Sequence, residues 1–219
     1  MNYTLSLRRG GWFVRRLIFM AMLVSSPAMQ AVEFEKVLAL ATADSVRIEV
    51  APPAGEGFGG AAELRATITH AGSGRLLWQG PLTQPASGAA LGTPITKTIS
   101  GLKPELWNPN SPVLYHLQIT ATKDGKPVAT RTVRIGFRSC EIRDGQFHLN
   151  GRPVFLRGIA INPPGRTIPS EVGETRAFAE AYVRYLKSQN VNIFRLTTDE
   201  SQVWFDVCDE LGIDRKSVV

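Results

Sequence analysis

The sequence has little cysteine and histidine, and this scarcity argues against several kinds of site. Only two cysteines and three histidines occur among 219 residues, and none of them stands at the spacing of metal ligands. A Gly-rich phosphate loop and a Gly-x-Ser-x-Gly turn are also missing. We therefore expect no metal site and no cofactor. Cys208 falls on the apolar stripe of a predicted helix, which favours a buried free thiol over a disulfide with Cys140.

The first 31 residues lack acidic side chains. They carry four arginines, then an apolar run over residues 17–24, then small residues up to Ala31. The run is shorter than the ~20 residues that span a bilayer, and this order of basic, apolar and small segments is typical of a secretory signal peptide. We predict that residues 1–31 are cleaved and that the protein is periplasmic or extracellular. An uncleaved anchor is the alternative, and it would be the chain's one contact with a membrane.

Little net charge remains once this segment is removed. The whole chain has 25 basic and 19 acidic residues, a net charge of +6. Without the four arginines, 21 basic residues stand against 19 acidic ones, and the two signs are interspersed. Neither a basic run nor a zinc-finger or RNA-binding signature is present, so we expect no nucleic-acid partner.

The stretch from Ser45 to Arg138 shows no helical periodicity. Short segments alternate apolar with polar residues instead, as half-buried strands do, and Asp124-Gly125 between two of them predicts a hairpin. Roughly seven strands in about 95 residues indicate an antiparallel sandwich. We assign residues 32–138 to an all-β immunoglobulin-like sandwich, in which the clearest predicted strands are 46–50, 63–69, 114–122 and 129–135.

The residues after Arg138 follow a different pattern. A small hairpin and a more apolar strand are predicted over 147–161, and a helix over 174–189 carries Phe178, Tyr182, Tyr185 and Leu186 at helical spacing and ends at Asn190. The strand 192–196 and a second helix over 201–212 come next. This alternation indicates parallel strands joined by crossover helices.

A (β/α)₈ barrel takes ~250 residues, so two parallel strands predict only the start of one. We assign residues 139–219 to an incomplete α/β (TIM barrel) segment and interpret 214–219 as a truncated end rather than a buried third strand. Such a segment should leave an apolar patch exposed. We therefore expect limited proteolysis to cut after about Arg138.

Five segments, in this order, resemble glycoside hydrolase family 2, which includes β-galactosidases, β-glucuronidases and β-mannosidases. They carry a Leu-Trp and Pro-x-Leu-Tyr pair, a Gly-x-Arg exit from the sandwich, a Leu-Asn-Gly-Arg-Pro opening of the barrel, its second strand and its next helix. They span residues 106–115, 135–138, 147–158, 190–195 and 204–213.

The sequence also departs from the family's usual pattern. Only about a dozen residues separate Ala31 from the first predicted strand, where the family usually has a sugar-binding jelly-roll domain. Many members continue with Asn-Arg-His after Gly158 and with Ser-His-Tyr-Pro after Arg195, but this chain does neither. Two histidines common in the family's active sites have no counterpart, so the sequence does not favour a β-galactosidase-like specificity.

The resemblance implies a secreted glycosidase that hydrolyses O-glycosidic bonds of a carbohydrate by a retaining two-glutamate mechanism. The family's glutamates lie on the fourth and seventh barrel strands, whereas the predicted strands here reach only the second. We therefore assign no catalytic residue, leave the adjacent Asp199-Glu200 pair unassigned, and expect this chain alone to be inactive.

Three polar residues are predicted to bind substrate, because barrel active sites lie at the carboxyl ends of the strands. They are Arg195, Asn162 and Asp199. The resemblance to the family implies that Arg195 would hydrogen-bond substrate or the catalytic nucleophile in a complete barrel. The alternative for all three is a structural role at strand ends and loops. Trp107, Tyr115 and Trp204 are predicted to pack in cores rather than to stack on sugars.

A second functional hypothesis belongs to another class of protein. The sandwich of residues 32–138 could be an exported immunoglobulin-like module without catalysis, binding carbohydrate or a protein partner. The residues after it would then be an unstable tail.

Overall fold

The computed structural model describes residues 34–51, 63–82, 94–161, 168–196 and 202–217. The predicted signal segment, Asn162 and Asp199 lie outside these ranges. Within them, no helix is both long enough and apolar enough to cross a membrane.

Seven strands of the described chain form two antiparallel sheets up to Ile135. The first sheet has the order β1-β2-β5 and the second has the order β4-β3-β6-β7. Both sheets confirm the predicted sandwich. The strands are β1 Lys36–Ala41, β2 Val46–Ala51, β3 Glu63–His70, β4 Leu76–Leu82, β5 Ile95–Ile99, β6 Tyr115–Lys123 and β7 Lys126–Ile135.

Alternation in sequence explains which face of each strand is buried. In β2, Val46, Ile48 and Val50 are fully buried while the residues between them are not, because successive side chains point to opposite faces of a sheet. The inner faces of the two sheets meet in the larger of two apolar clusters. Asp124 and Gly125 both have positive φ, as a type I′ hairpin turn requires, and they join β6 to β7.

A small antiparallel sheet follows the sandwich. It consists of β8 Cys140–Arg143, β9 Gln146–Leu149 and β10 Arg152–Pro153, in the order β10-β9-β8. The predicted hairpin is present, and β8 adds a strand to it. The two turns, Asp144-Gly145 and Asn150-Gly151, have positive φ at every residue.

The remaining elements form a parallel unit, which comprises residues 158–161, 168–196 and 202–217. Its sheet has the order β11-β12-β13 with both pairings parallel. The elements are β11 Gly158–Ile161, the single turn α1 Ser170–Gly173, α2 Arg176–Ser188, β12 Ile193–Leu196, α3 Gln202–Leu211 and β13 Asp214–Ser217.

The third strand corrects an expectation. We expect no third strand over residues 214–217, yet Asp214–Ser217 pairs in parallel register with Ile193–Leu196. The truncated end itself stays a prediction. The sequence Asp-Arg-Lys-Ser is polar and has no apolar alternation that would predict a strand. The strand forms through backbone hydrogen bonds to β12.

The two long helices cover one face of this sheet. Thr175 caps α2 by accepting a hydrogen bond from the Phe178 backbone N–H, and Asn190 follows the helix with φ of 59°, the left-handed conformation common at helix ends. Of the predicted apolar stripe, Leu186 is buried, but Tyr185 is 60% exposed. Tyr185 lies one position off the stripe of Ala179, Val183 and Leu186, which is the stripe that packs.

Helix α3 buries the side chains that the pattern predicted. Trp204, Val207 and Cys208 are buried, and Val203 and Leu211 are half-buried against the same cluster. Cys208 is buried and Cys140 is exposed, and the two do not form a disulfide.

Candidate functional site

The three parallel strands end side by side. Ile161, Leu196 and Ser217 are in register at their carboxyl ends, and active sites of α/β barrels lie at this end of the sheet. Asn162 and Asp199 belong to the two segments that follow β11 and β12, and both segments lie outside the described residues. Their predicted role in binding substrate therefore stays a prediction.

Arg195 is the one predicted site residue whose position the structure describes. It lies one residue before the end of β12, with its backbone between Ala160 and Lys216. The preceding Phe194 is 1% exposed and packs edge-to-face on Trp204 of α3, with ring centroids 6.3 Å apart. Since side chains alternate along a strand, Arg195 is on the face opposite the helices, where it is exposed.

The opposite end of the sheet holds a cleft of about 640 Å³. The Asn192 side chain in its lining is bonded to backbone: it accepts from the Arg157 N–H at 2.9 Å and donates to the Phe155 carbonyl at 2.9 Å. Because Arg157 and Asn192 precede β11 and β12, this cleft is at the amino ends of the strands. It is a structural junction, remote from the end where Arg195 lies.

Trp107 joins the sandwich to the parallel unit. Its side chain is 3% exposed, and its indole N–H donates to the Asp209 carbonyl in α3 at 2.8 Å. Arg138 stacks on the ring, 5.0 Å from its centroid, and pairs with Asp214 at 2.9 Å. Trp107 is therefore a buried junction residue and offers no exposed platform for a sugar.

Comparison with known families identifies the sandwich. Residues 62–138 match the family model of the glycosyl hydrolases family 2. The chain is therefore similar to the family 2 glycosyl hydrolases over these residues. A β-galactosidase of Vibrio cholerae is 30% identical over 112 residues, which are 50% of this chain and 11% of that protein. A β-galactosidase of Priestia megaterium is 29% identical over 112 residues, again 50% of this chain and 11% of that protein.

Solved structures of family 2 glycosyl hydrolases share the fold over more of the chain. A family 2 member from Bacteroides cellulosilyticus has a TM-score of 0.70 at 22% identity, covering 84% of this chain and 26% of that one. A β-glucuronidase from Parabacteroides merdae has a TM-score of 0.67 at 22% identity, covering 84% and 24%. The chain thus spans about a quarter of these structures, and the likeness shows the fold alone.

Two other aromatic residues of the family 2 motifs are also structural. Tyr115 is 1% exposed, and its hydroxyl accepts from the Glu105 backbone N–H at 2.8 Å. Burial raises the pKa of this hydroxyl above its ordinary value. Trp204 is 1% exposed and donates from its indole N–H to the Gly173 carbonyl at 2.9 Å. Both findings agree with the predicted core packing.

Two of the histidines, His70 and His148, make local contacts. His70 accepts at Nδ1 from the backbone N–H groups of Gly72 and Ser73, each at 3.1 Å, and so holds the turn between β3 and β4. Nδ1 of His148 lies 3.2 Å from the Gln146 carbonyl. Across the described ranges, no group of three or more His, Cys, Asp or Glu side chains is arranged to hold a metal ion.

Sequence reasoning missed the role of Asn150 in the Leu-Asn-Gly-Arg-Pro motif. Its side chain accepts from the Ser139 N–H at 3.0 Å and donates to the Trp107 carbonyl at 3.0 Å. Its φ of 54° is in the left-handed region, which Asn tolerates better than most residues. The motif's Asn-Gly pair signals the turn, but the two hydrogen bonds across the junction have no local signal.

The contacts of Arg134 and Lys187 at the same junction were also not predicted. Arg134 binds Asp206 and Glu210 of α3. Nζ of Lys187 donates to the carbonyls of Pro109 and Leu211, each at 2.5 Å, and burial lowers its pKa. These partners are far apart in sequence, so no spacing pattern links them.

Proposed function

We propose that this chain is part of the scaffold of an exported glycoside hydrolase of family 2 type, and that its parallel unit begins a (β/α)₈ barrel. The observation that carries the proposal is the position of Arg195. It lies near the carboxyl end of β12 on the face without helices, in a chain related to family 2 glycosyl hydrolases.

The parallel sheet itself supports a larger barrel. Parallel sheets are normally covered on both faces, yet α2 and α3 pack on the face of Phe194 and leave the face of Arg195 exposed. In a closed barrel the face opposite the outer helices becomes the packed interior. β11, β12 and β13 would then be its first three strands, with their carboxyl ends at the mouth of the active site.

The chemistry would come from residues beyond these three strands. A retaining glycosidase uses two carboxyl groups ~5–5.5 Å apart, one as acid/base and one as nucleophile, and the family places both on later strands. The relatives named above include two β-galactosidases and a β-glucuronidase, so the proposed substrate class is a carbohydrate glycoside. Arg195 would donate hydrogen bonds to the substrate or to the nucleophilic carboxylate, and Asn162 and Asp199 would line the same mouth.

Export is the second part of the proposal. It rests on the arginine-rich, then apolar, then small-residue order of residues 1–31. Expression of the native gene in its host, followed by amino-terminal sequencing of the periplasmic and extracellular fractions, is expected to give a chain that begins after Ala28 or Ala31. An intact Met1 in the membrane fraction would contradict cleavage.

The decisive experiment begins with the native coding sequence downstream of codon 219. We expect an open frame that supplies further barrel strands with two glutamates; a native stop codon directly after Val219 would count against the proposal. In the extended protein, Arg195→Ala is expected to lower kcat/KM by about 10²-fold or more on whichever aryl glycoside that protein hydrolyses. This is the size of effect seen when a hydrogen-bond donor is removed from an active site.

Arg131 provides the matched control, because it is an exposed arginine on β7 of the sandwich. Arg131→Ala makes the same change of charge and should leave kcat/KM unchanged. Equal activity of both variants and the parent protein would show that Arg195 does not serve the active site.

A further inference from the structure

One side of the sandwich meets the carboxyl end of α3 and the start of β13. The sandwich residues at this contact are Trp107, Pro109, Arg134 and Arg138, which we call the helix-docking surface. Three of them present N–H donors. Their partners are all acceptors, namely the side chains of Asp206, Glu210 and Asp214 and the carbonyl of Asp209.

Arg134 makes the most specific of these contacts. Its Nη1 lies 2.5 Å from Glu210 Oε1 and its Nη2 lies 2.5 Å from Asp206 Oδ1. Asp206 and Glu210 are four residues apart, so both carboxylates are on one face of α3, and the planar guanidinium can reach both at once. The three side chains are only 24–34% exposed, which limits screening by water. Glu210 also bonds Arg176 of α2.

The end of α3 is bound through its backbone as well. The last carbonyls of a helix lack partners within the helix and carry partial negative charge. The Trp107 indole N–H donates to the Asp209 carbonyl at 2.8 Å, and Lys187 Nζ donates to the Leu211 carbonyl at 2.5 Å. The same ammonium group holds the Pro109 carbonyl at 2.5 Å, so it links the sandwich loop to the helix end.

Gly212 permits this close approach. Its φ is +76°, and a Cβ atom at this position would stand 2.3 Å from the Pro109 carbonyl oxygen. The Pro109 peptide therefore occupies the space that any other residue's side chain would need. The sandwich loop and the end of α3 fit together only with glycine here.

We propose that the helix-docking surface makes the sandwich and the parallel unit unfold as one cooperative unit. The parallel unit has the smaller of the two apolar clusters, and none of the described helices covers the second face of its sheet. We therefore expect its stability to depend on the sandwich. This proposal reverses the expectation that protease would separate the two parts after Arg138. It concerns stability alone and does not depend on the proposed glycosidase activity.

Arg134→Met in the 219-residue chain provides the first test. The variant leaves two carboxylates without their shared partner, and Arg131→Met is the matched control because it removes one positive charge from an exposed site on the same strand. Amide hydrogen exchange is measured by mass spectrometry in rising urea. The parent chain is expected to open α3 and β6 at the same urea concentration, and Arg134→Met should accelerate exchange in α3 about tenfold or more.

The exchange rate of α3 in Arg131→Met shows whether loss of charge alone has an effect. Arg131→Met should exchange like the parent chain. If α3 exchanged at the same rate in all three proteins, or if α3 of the parent chain opened well before β6, the proposal would be overturned.

A second pair of variants tests the contact without changing charge. Gly212→Ala and Gly101→Ala place a side chain at nearly the same φ, +76° and +75°, but nothing lies within 4 Å of the Cβ position at Gly101. The two variants therefore share the backbone strain, and only Gly212→Ala displaces Pro109. We expect faster proteolysis between residues 139 and 217 for Gly212→Ala alone. Equal rates for the two variants would contradict the proposal.

Discussion

The sandwich and the parallel unit are stabilised in different ways. In the sandwich, β6 and β7 are 9 and 10 residues long and are joined by a tight turn, and two sheets bury each other's inner faces. In the parallel unit each strand has 4 residues, and the helices within the described ranges cover one face of the sheet. The core of the sandwich is formed within its own two sheets, whereas the parallel unit is also held by contacts to the sandwich.

This difference explains where the charged contacts lie. Ion pairs within the sandwich, such as Arg75–Glu105, are well exposed, whereas those between the two regions, such as Arg134–Asp206, are largely shielded. Removing one partner of a shielded pair destabilises a protein more than removing one partner of an exposed pair. Variants in each region can show how strongly the two depend on each other.

The largest effect is expected for Trp204→Ala. The ring contacts Phe178, Tyr182 and Phe194, and its N–H bonds the Gly173 carbonyl, so the variant leaves a cavity and an unpaired carbonyl. The free energy of unfolding should fall by about 3–5 kcal/mol, as measured by urea denaturation followed by circular dichroism. Trp78→Ala, at a half-buried site on β4, should destabilise by less than half as much. If both variants lowered the free energy of unfolding equally, the smaller apolar cluster would not depend on Trp204 as we expect.

Asn150→Ala should have the next largest effect, because the side chain bonds both Ser139 and Trp107 across the junction. Two lost hydrogen bonds and the left-handed backbone should together lower the free energy of unfolding by about 2–3 kcal/mol. Asp144→Ala is the control, since its φ of 51° matches the 54° of Asn150. Its loss should be about 1 kcal/mol. If the two variants lost the same stability in thermal unfolding, the bridging bonds would contribute nothing.

Tyr115→Phe tests the sandwich through pH. The variant leaves the Glu105 N–H without its acceptor and should destabilise by about 1 kcal/mol at neutral pH. Burial raises the pKa of Tyr115 above 10.0, so above about pH 10 the unfolded chain loses this proton before the folded chain does. The parent protein should therefore lose stability as pH rises from about 9 to about 11, and Tyr115→Phe should lose less. Parallel curves for the two proteins would contradict this assignment.

The smallest effect is expected for Arg75→Ala on the sandwich surface. Arg75 and Glu105 are 65% and 59% exposed, so water and salt screen their attraction. The midpoint of urea unfolding should shift by less than the equivalent of about 0.5 kcal/mol. A loss as large as that of Asn150→Ala would show that exposed pairs matter as much as the junction.

Much of the sandwich could be predicted because its signals are local. The alternation of Val46, Ile48 and Val50 gives a strand and its buried face, and Asp124-Gly125 gives the turn. The burial of Trp204, Val207 and Cys208 follows from helical spacing. Each of these features depends on residues that are close together in the sequence.

The parts that escaped prediction depend on distant partners. β13 is polar and takes its strand conformation from pairing with β12, so its own residues carry no signal. Tyr185 has nearly the right spacing, but the stripe that packs is narrower than the pattern implied. Arg134 meets Asp206 and Glu210 at separations of 72 and 76 residues, which no local pattern connects.

The candidate site was predictable only in part. Alternation around Phe194 gives the face of Arg195, and the end of β12 gives its place. Asn162 and Asp199 fall in segments outside the described residues, so their placement stays a prediction.

We propose that these residues are scaffold and that the catalytic carboxylates lie elsewhere. The most direct test is an assay of the purified 219-residue chain on a panel of aryl β-galactosides, β-glucuronides, β-mannosides and β-glucosides, beside a mock purification from cells without the gene. The account predicts no turnover above the mock sample. Turnover that rises with the amount of chain and disappears when the chain is unfolded would contradict it.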